Sequence, residues 1–536
     1  MSQTKFIILI VLGFSIVLRS QNTPFDIQLT PMNIEGVGGL QAFAFGQYEG
    51  KWLVFGGRLD GLHRRQPFAS FDINGHNNQF TVVDPLLNKS WTASMNFLPV
   101  SIKEQLSATN MEFFQEGKYL YVVGGYGYSA TTGDHTTYPY ITAIDVEGAI
   151  EAIIQNLPFQ SYFRQIRDEK MAVTGGYLHK INDIFHLVGG QKFIGRYNPM
   201  GPTHGPGFFQ EYTNAIRKFT LEDDGNVLNI NHYPEIFDSV HLHRRDYNVV
   251  PQIMPDGKEG LTAFSGVFQQ TVDLPYLTCV NINNTGYEVQ PNFFQYYNHY
   301  HCAHIPLYST TKNEMHTVFF GGIAQYYDNN GILVKDDNVP FVNTIARVTR
   351  KSDGTMAEYK LPVSMPALLG AGSEFIPLDN FPSFDNGVIK LDELSSDTTM
   401  VGYIYGGISS SAPNIFFVNT GNESNASRQI FKVHVIKNKS TSVHDLNSQS
   451  QNGLGMMVYP NPGHENISVK FELQKQTYVA LTVFDMSGVQ VREYILGNVS
   501  SGSHSFHTKE VFENHPVLIF QLRAGDQISR QKVILR

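Results

Sequence analysis

Seven basic side chains in this sequence have the types and spacing of an anion-binding site. Arginine presents a planar fork of N–H donors that can bind a carboxylate, phosphate or sulfate in a bidentate way. The candidate ligand-binding residues are His63, Arg64, Arg65, Arg164, Arg167, Arg244 and Arg245. The alternative is that these arginines form structural ion pairs with their acidic neighbours Asp60, Asp168, Glu169 and Asp246.

A histidine-rich segment, NHYHCAH at residues 298–304, provides a second candidate site. On a strand, His299 and His301 share one face, so both could ligate zinc or copper if a third ligand such as His243 joined them. The sequence lacks H-x-x-E-H and C-x-x-C spacings. We therefore predict no metal and no other cofactor, and we interpret these histidines as residues that line a central channel.

A third group combines aromatic rings, which stack on sugars or peptide side chains, with amides, which hydrogen-bond to hydroxyls. Gln191, Tyr326 and Tyr327 are its members that we predict to bind ligand. The alternative is aromatic packing between loops. The rest of the group is Tyr126, Tyr128, Tyr197, Gln269, Gln270 and Gln325.

Motifs of the common enzyme classes are absent from the sequence. There is no G-x-S-x-G nucleophile elbow, no P-loop, no H-E-x-x-H and no repeated S-x-D-x-G-x-x-W box of the sialidase type. Cys279 and Cys302 lack the motif that a copper–radical site with a Cys-linked Tyr requires. The sequence does not show whether two carboxylates lie at the separation that glycosidases require.

A recurring unit between residues 21 and 436 predicts the elements that position these side chains. Each copy has a β-run, a polar turn and an apolar β-run that ends in Gly-Gly or, once, Ser-Gly. A third β-run follows, as at residues 68–75, and then a shorter fourth run, as at 79–85 and 150–158. The second glycine of the pair recurs at Gly57, Gly125, Gly190, Gly266, Gly322 and Gly407.

The sixth unit has no fourth run after Lys437, whereas residues 25–31 (FDIQLTP) have the pattern that is missing there. We therefore predict an all-β protein with a six-bladed β-propeller of four antiparallel strands per blade, closed by this N-terminal strand. The alternative, an array of β-sandwiches, explains neither the sixfold repeat nor the missing strand. The apolar Gly-Gly strands resemble kelch-type blades over roughly residues 21–436, although the units exceed the usual kelch length of about 50 residues.

The two ends of the predicted blades differ in loop length. Turns within the hairpins are short, such as QEGK, whereas the loops after the Gly-Gly strands are long and rich in charged and aromatic residues, such as the stretch 191–212. Functional residues of rigid scaffolds are concentrated on such loops. We therefore expect the ligand-binding face at the long-loop end.

The last part of the chain, residues 456–536, predicts a separate small β-sandwich, because apolar and polar residues alternate along 467–471 and 481–483. This segment resembles the type A C-terminal sorting domain of the type IX (Por) secretion system of Bacteroidetes. The resemblance is carried by Tyr459, Pro460, Asn461, Pro462, Asp485, Gly488 and the basic tail with Lys532. The Leu-x-x-Gly-x-Tyr pattern usual before the last strand of that family is replaced here by HPVLIFQLRAG. The resemblance implies export by the type IX machinery, with cleavage or surface anchoring of the domain.

Residues 1–20 have the basic, apolar and polar regions of a secretory signal peptide, and the apolar run of residues 6–18 is shorter than a membrane anchor requires. Residues 437–455, rich in Ser, Asn and Gln, predict a flexible linker. Together these segments predict a secreted or outer-membrane cell-surface protein with no transmembrane segment in the mature chain.

The composition also limits the possible partners of the protein and the possible states of its cysteines. The formal charge of −9 argues against nucleic acid as a partner. With only Cys279 and Cys302, the chain has either one disulfide bridge or two buried free thiols.

From these features we predict an extracellular binding module whose ligand is a glycan, a peptide or a protein. The alternative is a carbohydrate-active enzyme, either glycosidase-like or an epimerase or mutarotase resembling bacterial kelch-type sialic acid mutarotases. Such an enzyme would use arginine and histidine side chains for acid–base chemistry in a central pocket where Arg244, Arg245, His299 and His301 converge.

Overall fold

The computed structural model describes residues 23–437 except 202, 380 and 396. In the C-terminal part it describes residues 454, 456–461, 463, 466–485, 490–508, 510, 512, 515–525 and 527–535. The predicted signal peptide, most of the predicted linker, Pro462 and Gly488 lie outside the described residues. The described residues belong to two compact units, one of residues 23–437 and one of residues from 454 onward.

The first unit is built from antiparallel β-sheets, as the apolar–polar alternation predicts. Six of its sheets, numbered I to VI in chain order of their first strands, share one plan of four antiparallel strands. The strands of each sheet are consecutive in the repeat pattern except that the fourth strand of the last sheet comes from the N-terminal segment. Two short extra strands, Ile236–Phe237 and Ile389–Lys390, pair with Ala215–Asp223 and His304–Ser309. Sheet I contains Ala44–Tyr48, Lys51–Phe55, Gln79–Asp84 and Lys89–Ser94. Sheet II contains Glu112–Glu116, Tyr119–Val123, Tyr140–Asp145 and Phe163–Arg167. Sheet III contains Tyr177–Ile181, Ile184–Val188, Ala215–Asp223 and Leu228–His232. Sheet IV contains Asn248–Ile253, Glu259–Phe264, Cys279–Ile282 and Tyr287–Gln290. Sheet V contains His304–Ser309, Glu314–Ile323, Phe341–Arg350 and Met356–Ser364. Sheet VI contains Ser373–Pro377, Thr398–Gly406, Ile430–Lys437 and Phe25–Met32.

The predicted pairing of the N-terminal strand with the last strand of the repeat region is confirmed. Phe25–Met32 is the fourth strand of sheet VI and runs antiparallel to Ile430–Lys437, with Phe25 opposite Lys437 and Met32 opposite Ile430. Phe25 is fully buried and meets the ring of His316 edge-on at 5.5 Å. The strand is therefore part of the core.

Two predicted β-runs are wrong. Residues 68–75 contain the 3-10 turns Pro67–Ala69 and Ile73–Gly75, so the third strand of sheet I is Gln79–Asp84 and its fourth is Lys89–Ser94. Residues 150–158 lie largely in helix α2, Val146–Ile154, and the fourth strand of sheet II is Phe163–Arg167. The other helix, α1, spans Val100–Leu106, and further 3-10 turns are Met95–Phe97, Gln160–Tyr162, Glu169–Met171 and Leu391–Glu393.

The six sheets contact one another in a closed order. A separate cluster of buried apolar side chains lies between each sheet and the next, and another lies between sheet VI and sheet I, where Trp52 and Val54 pack with Tyr403 and Tyr405. Burial of such surfaces is the main favourable term in folding. Each sheet is therefore stabilised by two neighbouring sheets.

The recurring glycine has a physical role in this arrangement. The backbone N–H of the second residue in each pair donates to a carbonyl in the loop that precedes the next sheet. At Gly124, the first glycine of one pair, φ is +63° and an added Cβ would lie 1.9 Å from the carbonyl oxygen of Val173, so a side chain cannot be accommodated. The six donors and acceptors are Gly57 to Ala108, Gly125 to Val173, Gly190 to Arg244, Gly266 to His299, Gly322 to Leu369 and Gly407 to Leu40.

Loops at one end of the sheets form smaller sheets of their own. One has four strands, Tyr126–Ser129, Asp134–Thr137, Gln191–Ile194 and Phe209–Tyr212, from the loops after the second strands of sheets II and III. Two hairpins pair Tyr326–Asn329 with Ile332–Lys335 and Ile408–Ser410 with Ser424–Ala426. The sequence singled out the loops after Gly125, Gly190 and Gly322 as long, but not the loop after Gly407 that forms the second hairpin.

The second unit consists of two antiparallel sheets around its own apolar core. One sheet has the strands Met457–Tyr459, Ile467–Leu473 and Gly502–Thr508, and the other Gln490–Val499, Thr477–Phe484, Val517–Ala524 and Gln527–Ile534.

Neither helix of the described chain has the length and apolar composition needed to cross a bilayer. Both cysteines are buried and free, which resolves the open choice between a bridge and two thiols.

Candidate functional site

A pocket of about 380 Å³ is enclosed by loops that precede or connect the strands of all six sheets. This volume is in the range of small-molecule sites. The pocket is lined by aromatic rings, amides and charged groups rather than by aliphatic side chains alone. Its position at the long-loop end agrees with the loop asymmetry of the sequence.

The floor of the pocket is a closed ring of six backbone hydrogen bonds. One residue from the loop before each sheet donates its N–H to the carbonyl of the corresponding residue in the preceding sheet, and the last bond closes the ring. The donor–acceptor distances lie between 2.7 and 3.2 Å. The ring residues are Ala42, Asn110, Gly175, Asp246, His301 and Gly372.

Five of the predicted binding residues line this pocket: His63, Arg65, Gln191, Arg245 and His301. Tyr126 and Tyr197 line it as well. The fold brings them together although they come from five different connecting regions of the chain.

Four of the predicted arginines lie outside the pocket, Arg244 among them. The Arg164 guanidinium forms an ion pair with Asp223 at 2.6 Å, and that of Arg167 forms one with Glu169 at 2.7 Å. Arg64 is exposed and lies against Gly421. The ion-pair interpretation therefore describes Arg164 and Arg167.

Arg244 is 1% exposed and its guanidinium donates to the carbonyl oxygens of His241, Ser265 and Thr278 at 2.5–2.8 Å. It also lies 4.2 Å from the ring centre of Tyr276. Arg244 thus fastens the loops before and within sheet IV and does not line the pocket.

Like the arginines, only some of the predicted histidines line the pocket. His299 is fully buried; its Nε2 lies 2.9 Å from the Gln295 carbonyl oxygen and its Nδ1 accepts the Gln325 N–H at 3.0 Å. Burial lowers the pKa of His299 to about 4, so the ring is neutral. His243 stacks on Tyr212 with ring centres 3.8 Å apart. Neither ring lines the pocket.

Tyr326 and Tyr327 belong to the hairpin that begins at Tyr326 and do not line the pocket. The Tyr326 ring packs edge-on against Tyr296 at 5.0 Å. Among the described residues, no group of three His, Cys, Asp or Glu side chains is placed to hold a metal ion.

Two of the three arginines that line the pocket are neutralised within it. Arg58 is 2% exposed, and its Nε donates to Asp60 Oδ1 at 2.7 Å. Arg245 donates from Nη1 to Asp246 Oδ2 and from Nε to the Tyr212 hydroxyl at 2.9 Å. These two guanidinium groups shape the wall and leave little net charge for a ligand.

His301 combines access to the pocket with a carboxylate partner. Its Nε2 lies 2.8 Å from Oε1 of Glu374. Burial, the largest single influence, lowers the pKa of this imidazole, but the charge and hydrogen bond of Glu374 together with the charge of Asp246 outweigh it and raise the pKa above the usual value. His301 is thus the histidine of the pocket that favours the protonated form.

His301 and Asn110 also line a smaller cavity, of about 110 Å³, on the other side of the ring. This cavity contains Glu112, whose Oε1 accepts the Gly176 N–H at 2.7 Å. Burial raises the pKa of Glu112 well above its usual value.

The aromatic wall is continuous on one side of the pocket. His63 stacks on Phe71 at 5.6 Å, Phe71 meets Tyr126 edge-on at 5.3 Å, and Tyr197 meets both His63 and Phe193 edge-on. Desolvation lowers the pKa of His63 to about 4, so its ring is neutral.

The sequence reasoning missed several pocket residues: Gln41, Arg58, Phe71, Asn110, Thr174, Phe268, Tyr300, Phe416 and Phe417. One signal could have located part of this set. Asn110 and Asp246 stand at equivalent positions two residues before a first strand, as Gly175 does, and all three have positive φ. Phe416 and Phe417 carry no such signal, because only loop packing brings them to the pocket.

Comparisons with known proteins add little. No family model matches the chain and no curated protein matches it. A solved structure titled "Structure of YjhT" is similar at 10% sequence identity and a TM-score of 0.39, with 76% of this chain and 99% of that chain covered.

Proposed function

We propose that the first unit is a six-bladed β-propeller of kelch-like type. Three independent features support it: the closed series of glycine N–H bonds between sheets, the closed ring on the pocket floor, and the apolar cluster between sheet VI and sheet I. Each of the two hydrogen-bond series has one contribution per sheet, and the apolar cluster joins the last sheet to the first, as a radial arrangement of six blades requires.

On this scaffold the protein acts as an extracellular binding module whose central pocket holds the end of a glycan or of a peptide, including a segment of a protein partner. The pocket is the single observation that carries this function, because it is concave, formed by loops on rigid sheets, and lined by rings and amides. Aromatic faces suit sugar rings and peptide side chains, while Gln41, Asn110 and Gln191 offer both donors and acceptors.

Export through the type IX secretion system remains the proposed route to the cell surface or the medium. One contact in the second unit supports it. The side chain of Asn461 donates to the Lys532 carbonyl at 2.8 Å and accepts the Ile534 N–H at 2.9 Å. Two separate parts of the sorting motif, the Tyr-Pro-Asn-Pro segment and the basic tail, are thereby joined into one surface.

A second candidate function is acid–base catalysis on a sugar, such as epimerisation or mutarotation. It is favoured by the His301–Glu374 pair at the pocket floor, since a carboxylate orients an imidazole for proton transfer. Of the four residues expected to converge in such an enzyme, Arg245 and His301 line the pocket, whereas Arg244 and His299 do not.

Glycan and peptide arrays with the exported full-length protein test the binding function. Phe417 lines the pocket and is 62% exposed, so Phe417→Ala removes contact area without removing core packing. We expect at least one ligand to bind wild type and to lose about tenfold in affinity in this variant. Phe97, 64% exposed and outside the pocket, provides the matched control Phe97→Ala, which should bind like wild type. Absence of any bound glycan or peptide would contradict the proposal.

The catalytic candidate has its own test. We expect Glu374→Gln to lower the pKa of His301, because only the charge of Asp246 then opposes burial. NMR titration of labelled histidine measures this shift. Equilibration of sugar anomers, followed by NMR, should slow in Glu374→Gln if the pair is catalytic, and an unchanged rate would leave only the binding function.

A further inference from the structure

Arg65 differs from the other two arginines of the pocket in its charge balance. Arg58 and Arg245 are each paired with a carboxylate, as described above. The guanidinium of Arg65 forms no ion pair and no hydrogen bond with any residue in the described part of the chain, and its carbon lies 5.2 Å from the ring centre of Phe417. Arg65 is therefore the pocket arginine whose charge is free for a ligand.

The backbone around Arg65 is fixed from the neighbouring loop. Asn419 is fully buried, and its side chain donates to the carbonyl oxygens of Leu62 and His63 at 2.8 Å each. The Asn419 carbonyl accepts the Arg65 N–H at 3.1 Å. These hydrogen bonds hold the Arg65 loop against the Phe417 loop, so the backbone of the loop loses little conformational entropy when a ligand binds.

We propose that Arg65 recognises a carboxylate on the ligand, and that the body of the ligand next to that carboxylate packs on Phe417 and Phe416. This inference rests on the proposed binding function and names the ligand class. A single free guanidinium fork matches the charge and the two oxygens of one carboxylate. A phosphate dianion would require a second free cation, and Arg58 and Arg245 are already paired.

Asp273 is an acidic residue of the pocket and would favour a positively charged ligand. It lines the pocket and is exposed, on the loop after the second strand of sheet IV. A ligand selected mainly by Asp273 would carry an amine rather than a carboxylate. The experiment therefore includes an amine probe.

The test uses pairs of probes that differ in charge. The peptide pair is an acetylated Ala-Ala-Phe tripeptide with a free carboxyl end and its C-terminal amide. The sugar pair is methyl glucuronide and methyl glucoside, and methyl glucosaminide is the amine probe. Affinities for the full-length protein are measured by NMR saturation transfer and by calorimetry. The pair that shows the preference identifies the source of the carboxylate.

We expect the acid member of at least one pair to bind about 10–100-fold more tightly than its neutral partner, the range typical of charge-assisted hydrogen bonds. Arg65→Ala should remove this preference, so that the acid and neutral members of the pair bind with equal affinity. Arg64→Ala is the matched control, since the adjacent arginine lies outside the pocket, and it should retain the preference. Asn419→Ala should reduce the preference in part.

Four results would overturn the inference. Equal binding of acid and neutral members would refute carboxylate recognition while leaving the binding function intact. Tighter binding of the amine probe would assign selection to Asp273. A preference for the acid member that survives in Arg65→Ala would assign it to another residue. If no probe binds at all, the inference is wrong, whereas the proposed function is judged separately by the glycan and peptide arrays.

Discussion

At the scale of single residues, neighbours in the chain have opposite roles. Arg244 is enclosed by backbone carbonyls, whereas Arg245 faces the pocket with its charge paired to Asp246. Arg64 and Arg65 differ similarly, since Arg65 lines the pocket and Arg64 is exposed outside it. Residue type therefore predicts that an arginine can bind an anion, but its surroundings decide whether it does.

A stability prediction follows for Arg244. Arg244→Met should lower the free energy of unfolding by about 3–5 kcal/mol, because the carbonyls of His241, Ser265 and Thr278 lose a buried donor. Urea unfolding monitored by circular dichroism measures the loss. Arg64→Met should change stability by less than about 0.5 kcal/mol. Equal losses in the two variants would contradict the structural role of Arg244.

At the scale of elements, helix α2 shows why residues 150–158 were misread as a strand. Their apolar residues fit a buried strand or one face of a helix equally well. The helix forms because Asp145 accepts the Gly148 N–H at 3.1 Å and caps its N-terminus, while Val146, Ala149, Ile150 and Ile153 are buried against the core. Asp145 could be recognised in the sequence as a helix cap, but the sequence did not show whether the helix would be more stable than a paired strand.

Gly148 provides a prediction at this scale. Alanine normally favours a helix over glycine by about 1 kcal/mol. Here an added Cβ would lie 2.2 Å from the ring of Tyr162, so Gly148→Ala should destabilise the protein by about 1–3 kcal/mol instead. The double variant with Tyr162→Ala should lose less than the sum of the single variants, as measured by urea unfolding. A more stable Gly148→Ala variant would contradict the packing.

At the scale of the whole molecule, buried histidines control the response to acid. Burial lowers the pKa of six of them, each less than a tenth exposed: His76, His179, His186 and His299 to about 4, His316 to about 3, and His135 below its usual value. Below pH 6.5 these rings take up protons in the unfolded chain before they do so in the folded one. Their contribution to stability is present above pH 6.5 and is lost as the pH falls.

We therefore predict that stability decreases as the pH falls from 6.5 to about 4.5, by at most about 1.4 kcal/mol per pH unit for each such histidine. Glu112 and Glu358, whose raised pKa values act in the opposite direction, are fewer and offset only part of the loss. Urea midpoints at pH 7 and pH 5 test the sign. Exposed His204 gives the control His204→Gln, which should show the same pH dependence as wild type. A midpoint that is higher at pH 5 would refute this account.

Apart from the third and fourth strands of sheet I and the fourth strand of sheet II, the sequence by itself determined the strands of the six sheets and the pairing of Phe25–Met32 with Ile430–Lys437. It could do so because apolar alternation and glycine turns act over a few residues and successive strands pair with one another. It also located the end of the molecule that holds the pocket, through loop length. Only the tertiary structure decided which basic side chains meet there and which of them remain unpaired. Those properties depend on contacts between loops far apart in the chain, such as that between Asn419 and His63, which no local pattern encodes.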